Sequence, residues 1–184
     1  MKIKSEVTKL LTRLLCTAAI ACGVVESFAA PAFSYEVVCH GPDGQEKWRE
    51  TIHNLVTTVG KTDIIDKYFK GSAYTAAFYA GLKGSGTAVV GDTMASHASW
   101  VEITAYSQSP RPTISFGTTS AGSNTASGVV FSMTGSYTVA GLFITTNSTI
   151  SGTTGTLYSA GDLAVARSGG SGDTLTITPT VSAS

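Results

Sequence analysis

Charge runs out early in this sequence. From Gly71 to the C-terminus, 114 residues carry seven charges: Lys83, Arg111 and Arg167 against Asp92, Glu102, Asp162 and Asp173. Three cations cannot form the basic stripe that neutralises phosphates, so nucleic acid is not an expected partner. Acid–base and nucleophilic catalysis need titratable groups gathered in a cleft, and the same stretch offers one histidine, His97, and no cysteine. Neither an enzyme nor a cofactor is expected. A surface kept soluble by Ser, Thr and Gly, with few ions, suits a protein that lies against other protein copies.

Cysteine is scarce as well. Cys16 and Cys22 fall in the N-terminal segment and only Cys39 in the body, so there is no disulfide framework. A lone Cys in a strand reads as a small buried hydrophobe. His40 and His53 sit on or beside the hairpin strands and form no short-range ligand pair with Cys39, so no metal site is expected. The uncharged run Leu14–Val25 is twelve residues long, too short to span a bilayer as a helix. The body of the chain is expected to make no membrane contact.

What is present fits one domain. About 150 folded residues bury roughly 70% of their unfolded surface, enough for a core without metal or disulfide. Net charge is zero over 184 residues, and omitting residues 1–32 leaves eight Lys/Arg against ten Asp/Glu. The expected division is a leader, 1–32, and a single domain, 33–184.

The leader supports two patterns. Lys2, Lys4, Lys9 and Arg13 precede the uncharged run, and Ala30-Pro31-Ala32 has the small residues of a cleavage site, which predicts a secreted or envelope protein starting near Phe33. Val7, Leu10, Leu11, Leu14, Leu15 and Ala18 also fall at helical spacing, opposite Lys9, Thr12 and Arg13, as in an amphipathic docking helix. A start codon placed too far upstream explains the segment equally well.

In the body, Tyr35–His40 and Lys47–Val56 flank Gly41-Pro42-Asp43-Gly44, a β-hairpin pattern. Thr58–Lys70 is the one convincing helix, with Ile64, Ile65, Tyr68 and Phe69 on one face, Asp63 and Lys67 four apart, and Gly71 at its end. Strand-like segments follow: Tyr74–Leu82, Trp100–Tyr106, Thr113–Phe116, Gly128–Met133, Tyr137–Thr145, Thr156–Ser159, Leu163–Arg167 and Thr174–Val181. Turn clusters at roughly ten-residue intervals predict a mainly β fold, an antiparallel sandwich of jelly-roll or similar topology with a short helix near 60–70. Pro179 marks the last strand as an edge.

Asp92 and His97 can be drawn as part of a hydrolase triad, but no nucleophile elbow accompanies them. They read better as loop-shaping groups, with Trp100 anchoring the next strand. Gly81–Gly91 lacks the ending of a phosphate loop and reads as a flexible connection. Asn147-Ser148-Thr149 matches a glycosylation acceptor. The residue types that dominate interfaces point to Trp100, Tyr106, Arg111, Tyr68 and Phe69 as protein-contact candidates, Tyr106 and Arg111 flanking an exposed Ser-Gln-Ser-Pro loop.

Trp48, Asn54–Lys61, Asp66-Lys67-Tyr68, Gly71–Ala77, Gly91–His97, Thr138–Gly141, Gly155–Ser159 and Gly172–Leu175 together resemble small structural proteins of tailed bacteriophages and prophages, over roughly Tyr35 to Ala183. The resemblance implies a virion component, a capsid decoration or cement protein. Its partners would be phage coat protein and copies of itself, and it would assemble in the host cytoplasm. No enzymatic residues come with that family. The leader is the departure from it, and a secreted or envelope-anchored β-sandwich binding module is the rival expectation.

Overall fold

Period-two alternation builds the first hairpin. In the computed structural model, which describes residues 31–74 and 77–183, strand β1 (Ala32–His40) buries Phe33, Tyr35, Val37 and Cys39 on one side. The turn at 41–44 returns the chain as β2 (Glu46–Val56), with Phe33 opposite Asn54 and Cys39 opposite Trp48. The signal-like and amphipathic patterns of residues 1–30 lie outside the described residues.

Helix α1 (Thr58–Tyr68) follows without a loop because Thr57 caps it. The Thr57 Oγ1 accepts the Gly60 N–H at 3.1 Å and donates to the Leu157 carbonyl. Glycine is needed at position 60, where a Cβ would lie 2.5 Å from the Tyr158 carbonyl oxygen. The first turn therefore rests on backbone. Of the four apolar residues that share a face by spacing, only Ile64 packs on the core, while Ile65, Tyr68 and Phe69 are exposed. The Asp63–Lys67 pair is replaced by other partners: Tyr158 donates to Asp63, Lys67 donates to the Ala73 carbonyl, and the ion pair on the helix is Asp66–Lys70 at 2.9 Å.

The remaining strands are β3 (Phe78–Lys83), β4 (Glu102–Ile103), β5 (Thr113–Ile114), β6 (Ser123–Thr125), β7 (Val129–Ser132), β8 (Tyr137–Thr145), β9 (Leu157–Gly169) and β10 (Thr174–Ser182). They form one antiparallel sheet in the order β4-β3-β8-β9-β2-β1-β10-β6, with β5 on β3 and β7 on β10. The mainly β expectation with one short helix holds for the described residues. The sheet curls about β2, whose last residues Leu55 and Val56 pair with Ala160 and Ser159 of β9. Beyond that joint side chains bridge the two strands, as where Glu50 accepts the Ala164 N–H at 2.6 Å. The curl gathers Tyr35, Val37, Leu82, Phe131, Leu142, Ile144, Leu175 and Ile177 into one core, an arrangement compatible with a sandwich. Fully burying each such side chain stabilises by about 1.5–3 kcal/mol. No helix among the described residues is long and apolar enough to cross a membrane.

Two expectations about the last strands change here. Thr156–Ser159 and Leu163–Arg167 are one strand, β9, because Gly161-Asp162 continues the ladder. Gly161 is there for close approach, a Cβ lying 2.7 Å from that of Asn54, and Asp162 is spent on Lys83. Pro179 does not make β10 an edge, since β1 lies on one side and β7 and β6 on the other. Its carbonyl accepts from Ala126, and in a strand the N and O of one residue point the same way. The missing N–H thus faces Ala126 too, between the last β7 pairing at Ile177 and the first β6 pairing at Thr180, so the one bond the ring forgoes falls at the break between the two partner strands.

Candidate functional site

The scarce charges are the place to begin, because every one from Gly71 onward is held by another group. Arg111 grips Glu102 with two bonds, Nε–Oε1 at 2.6 Å and Nη2–Oε2 at 2.8 Å, and donates to the Asn147 carbonyl at 2.6 Å. The Lys83 Nζ lies 2.9 Å from Asp162 and donates to the Gly84 and Gly86 carbonyls. Asp173 takes the Lys47 ammonium at 3.0 Å, and Arg167 meets Glu50 at 3.5 Å. Asp92 accepts from the Trp100 Nε1 at 2.9 Å and from the Val89 N–H at 3.0 Å. These ions brace the fold.

That arrangement corrects the expected exposure of three contact candidates. Arg111 is 1% exposed, Trp100 3% and Tyr106 6%. Trp100 sits in a second apolar cluster with Ala88, Met94, Phe143 and Leu157, stacked under His97 at 4.0 Å between rings. Tyr106 meets Phe131 edge to face at 4.9 Å, and its hydroxyl is buried without a partner among the described residues. Burial also pushes the Tyr106 hydroxyl well up from its ordinary range, with the neighbouring Glu102 charge adding to it. Tyr68 and Phe69, at 81% and 75%, are open to solvent.

The loop from Gly84 to Val101 is shaped as its sequence suggested. Asp92 and His97 do not bond each other; both serve Trp100, the His97 Nδ1 lying 3.0 Å from the Trp100 carbonyl. The Gly-rich stretch is tied down where a loose connection was expected: Gly84 donates to the Val101 carbonyl at 2.8 Å, and Ser99 Oγ to the Thr87 carbonyl at 2.7 Å. Asn147 spends its side chain locally, donating to Thr154 and accepting from the Thr149 N–H.

A polar chain crosses one end of the core. Cys39 Sγ lies 3.5 Å from the Tyr137 hydroxyl, which donates to Asp173 at 3.0 Å beside Lys47. Burial alone would raise the Asp173 carboxyl, but the Lys47 ammonium, the Gly170 N–H and the Tyr137 hydroxyl together hold it below the ordinary carboxylate range. Burial raises the Cys39 thiol, with Tyr137 opposing and Asp173 adding. A thiol so placed is a poor nucleophile. Among the described residues no three His, Cys, Asp or Glu side chains gather as metal ligands would.

The molecule also has a groove of about 590 Å³ between α1 and the β1, β3 and β10 side of the sheet. Its walls include Phe33, Ile64, Tyr68, Phe78, Phe116 and Val181, and among the described residues that line it only Lys67 is charged. Phe78 stands edge-on to both Phe116 and Tyr158, at 5.9 and 5.1 Å. Such a lining can hold apolar groups. In sequence, Phe33, Phe78 and Phe116 are indistinguishable from core residues, since alternation shows which side of a strand is apolar and not whether that side is covered. Tyr68 alone of these was marked beforehand, by its residue type.

No protein-family model matches the chain, and no curated protein matches it.

Proposed function

We propose that this chain is a non-enzymatic structural component of a phage particle, decorating or cementing the capsid by bridging neighbouring coat subunits. The observation that carries the reading is the complete internal use of the seven charges beyond Gly71. What faces outward over most of the domain is hydroxyl, amide and scattered apolar side chains, among them Val101, Val130 and Val165. Packing such a surface against neighbours strips water from few ions, which limits the desolvation cost. The resemblance of the body to tailed-phage structural proteins supplies the identity of the partner. Contacts of only about 800 Å² per partner hold when copies repeat over a symmetric lattice. A homo-oligomer is the natural unit on such a lattice.

Mass spectrometry of purified particles tests this. The expected result is abundant peptides of this chain in a fixed ratio to coat protein; their absence from particles removes the proposal.

One observation favours a second reading, a secreted or envelope-anchored binding module. Strand β1 begins at Ala32, so cleavage before Phe33 would leave nearly the whole sheet intact. Recovery of the chain outside the cytoplasm with Phe33 at its N-terminus would establish it in place of the first.

A further inference from the structure

We propose that the groove beside α1 is the seat of the chain's own N-terminal apolar stretch, residues 7–18. Three observations meet at this place. The groove is open and apolar, and two of its aromatic walls are largely uncovered, Tyr68 at 81% and Tyr74 at 59% exposure. Large apolar side chains gathered round one concavity mark a binding surface more than scattered ones do. Pro31 is itself part of the wall, and β1 starts at the next residue. The described chain therefore enters the sheet at the groove's rim. Upstream, Val7, Leu10, Leu11, Leu14, Leu15 and Ala18 recur at helical spacing, so one side of that stretch is apolar.

Length and charge both permit the return. The twelve residues between Ala18 and Pro31 reach up to about 40 Å when extended. A room of about 590 Å³ takes several aliphatic side chains, more than a single anchor needs. Lys9, Thr12 and Arg13 fall on the polar side of the stretch and stay in water. Lys67, the groove's own cation, is already bonded to the Ala73 carbonyl. A segment tethered at the rim competes at an effective concentration of order mM, which favours the chain's own stretch over that of a second copy. The inference needs residues 1–30 to remain on the chain and is otherwise independent of the virion reading: one is measured on particles, the other on the isolated protein.

The test is site-specific photo-crosslinking in the full-length protein, with Tyr68 replaced by p-benzoylphenylalanine and, separately, Tyr74. Both positions are exposed, so the fold tolerates the change, and circular dichroism checks that it does. The expected product is an internal crosslink at monomer mass to peptides within residues 5–20. It should fall at least tenfold when Leu11, Leu14 and Leu15 are all changed to Asp. Crosslinks joining two copies, crosslinks confined to residues beyond 30, no crosslink at either position, or a purified chain whose intact mass begins after residue 30 would each overturn the proposal.

Discussion

Individual side chains carry the sharpest expectations. Glu102 and Arg111 are both nearly inaccessible, and removing one leaves the other charged and buried. Glu102→Ala should cost about 3–5 kcal/mol in urea denaturation, while the double change Glu102→Leu with Arg111→Met recovers most of it. A double change as damaging as the single one would mean that the pair does more than neutralise itself. Tyr106 is the opposite case, since its hydroxyl is buried with no partner among the described residues. Tyr106→Phe should raise stability by about 1 kcal/mol, the relief of an unmet polar group; a measured loss would place a partner there. At Asp173 the native carboxyl titrates below its unfolded value, so its contribution is complete above about pH 4 and is lost as pH falls through the lower, folded value. Asp173→Asn should be less stable near neutrality, and the gap to the parent protein should close on acidification in thermal melts. A gap that stays constant with pH would refute the linkage.

At the scale of elements, α1 lies where its apolar spacing placed it, with most of that apolar face left in solvent. Thr58–Lys70 was legible from its apolar spacing and from the glycine that follows. Spacing could not show that the helix is held by its first turn, through the Thr57 cap and the close approach of Gly60 to Tyr158. Thr57→Ala should therefore cost about 1–2 kcal/mol, because the side chain caps the helix and also binds the Leu157 carbonyl. A chemical denaturation midpoint unchanged by the substitution would contradict that anchoring. Strand β8 was found to the residue, because Tyr137–Thr145 is bounded by turn residues on both sides. Strand β9 was split in two, because Gly-Asp is turn chemistry locally while Gly161 serves a contact with a strand over a hundred positions earlier.

For the whole molecule, the consequence is that contacts made by the surface beyond Gly71 should be blind to salt. With the ions beyond Gly71 engaged internally, association with particles through that part of the surface should change little between low and high ionic strength, unlike steered, charge-driven binding. Phe69→Asp, at a position 75% exposed, should leave the melting temperature where it is and weaken particle association at least tenfold in co-sedimentation. Unaltered binding would exclude this end of α1 from the contact.

Composition and alternation were enough for a mainly β domain, the single helix of its body and a weakly charged character, because each is a sum over many local choices that agree with one another. Which residues would lie open was a different question. Trp100, Tyr106 and Arg111 have the chemistry of contact residues, yet the fold spends them inside, while Tyr68 and Phe69 are left facing water. Exposure depends on what the curled sheet brings over each side chain from far along the chain, and no local pattern records that. The groove arises the same way, from Phe33, Phe78, Phe116 and Val181, which meet only when strands distant in sequence close beside α1.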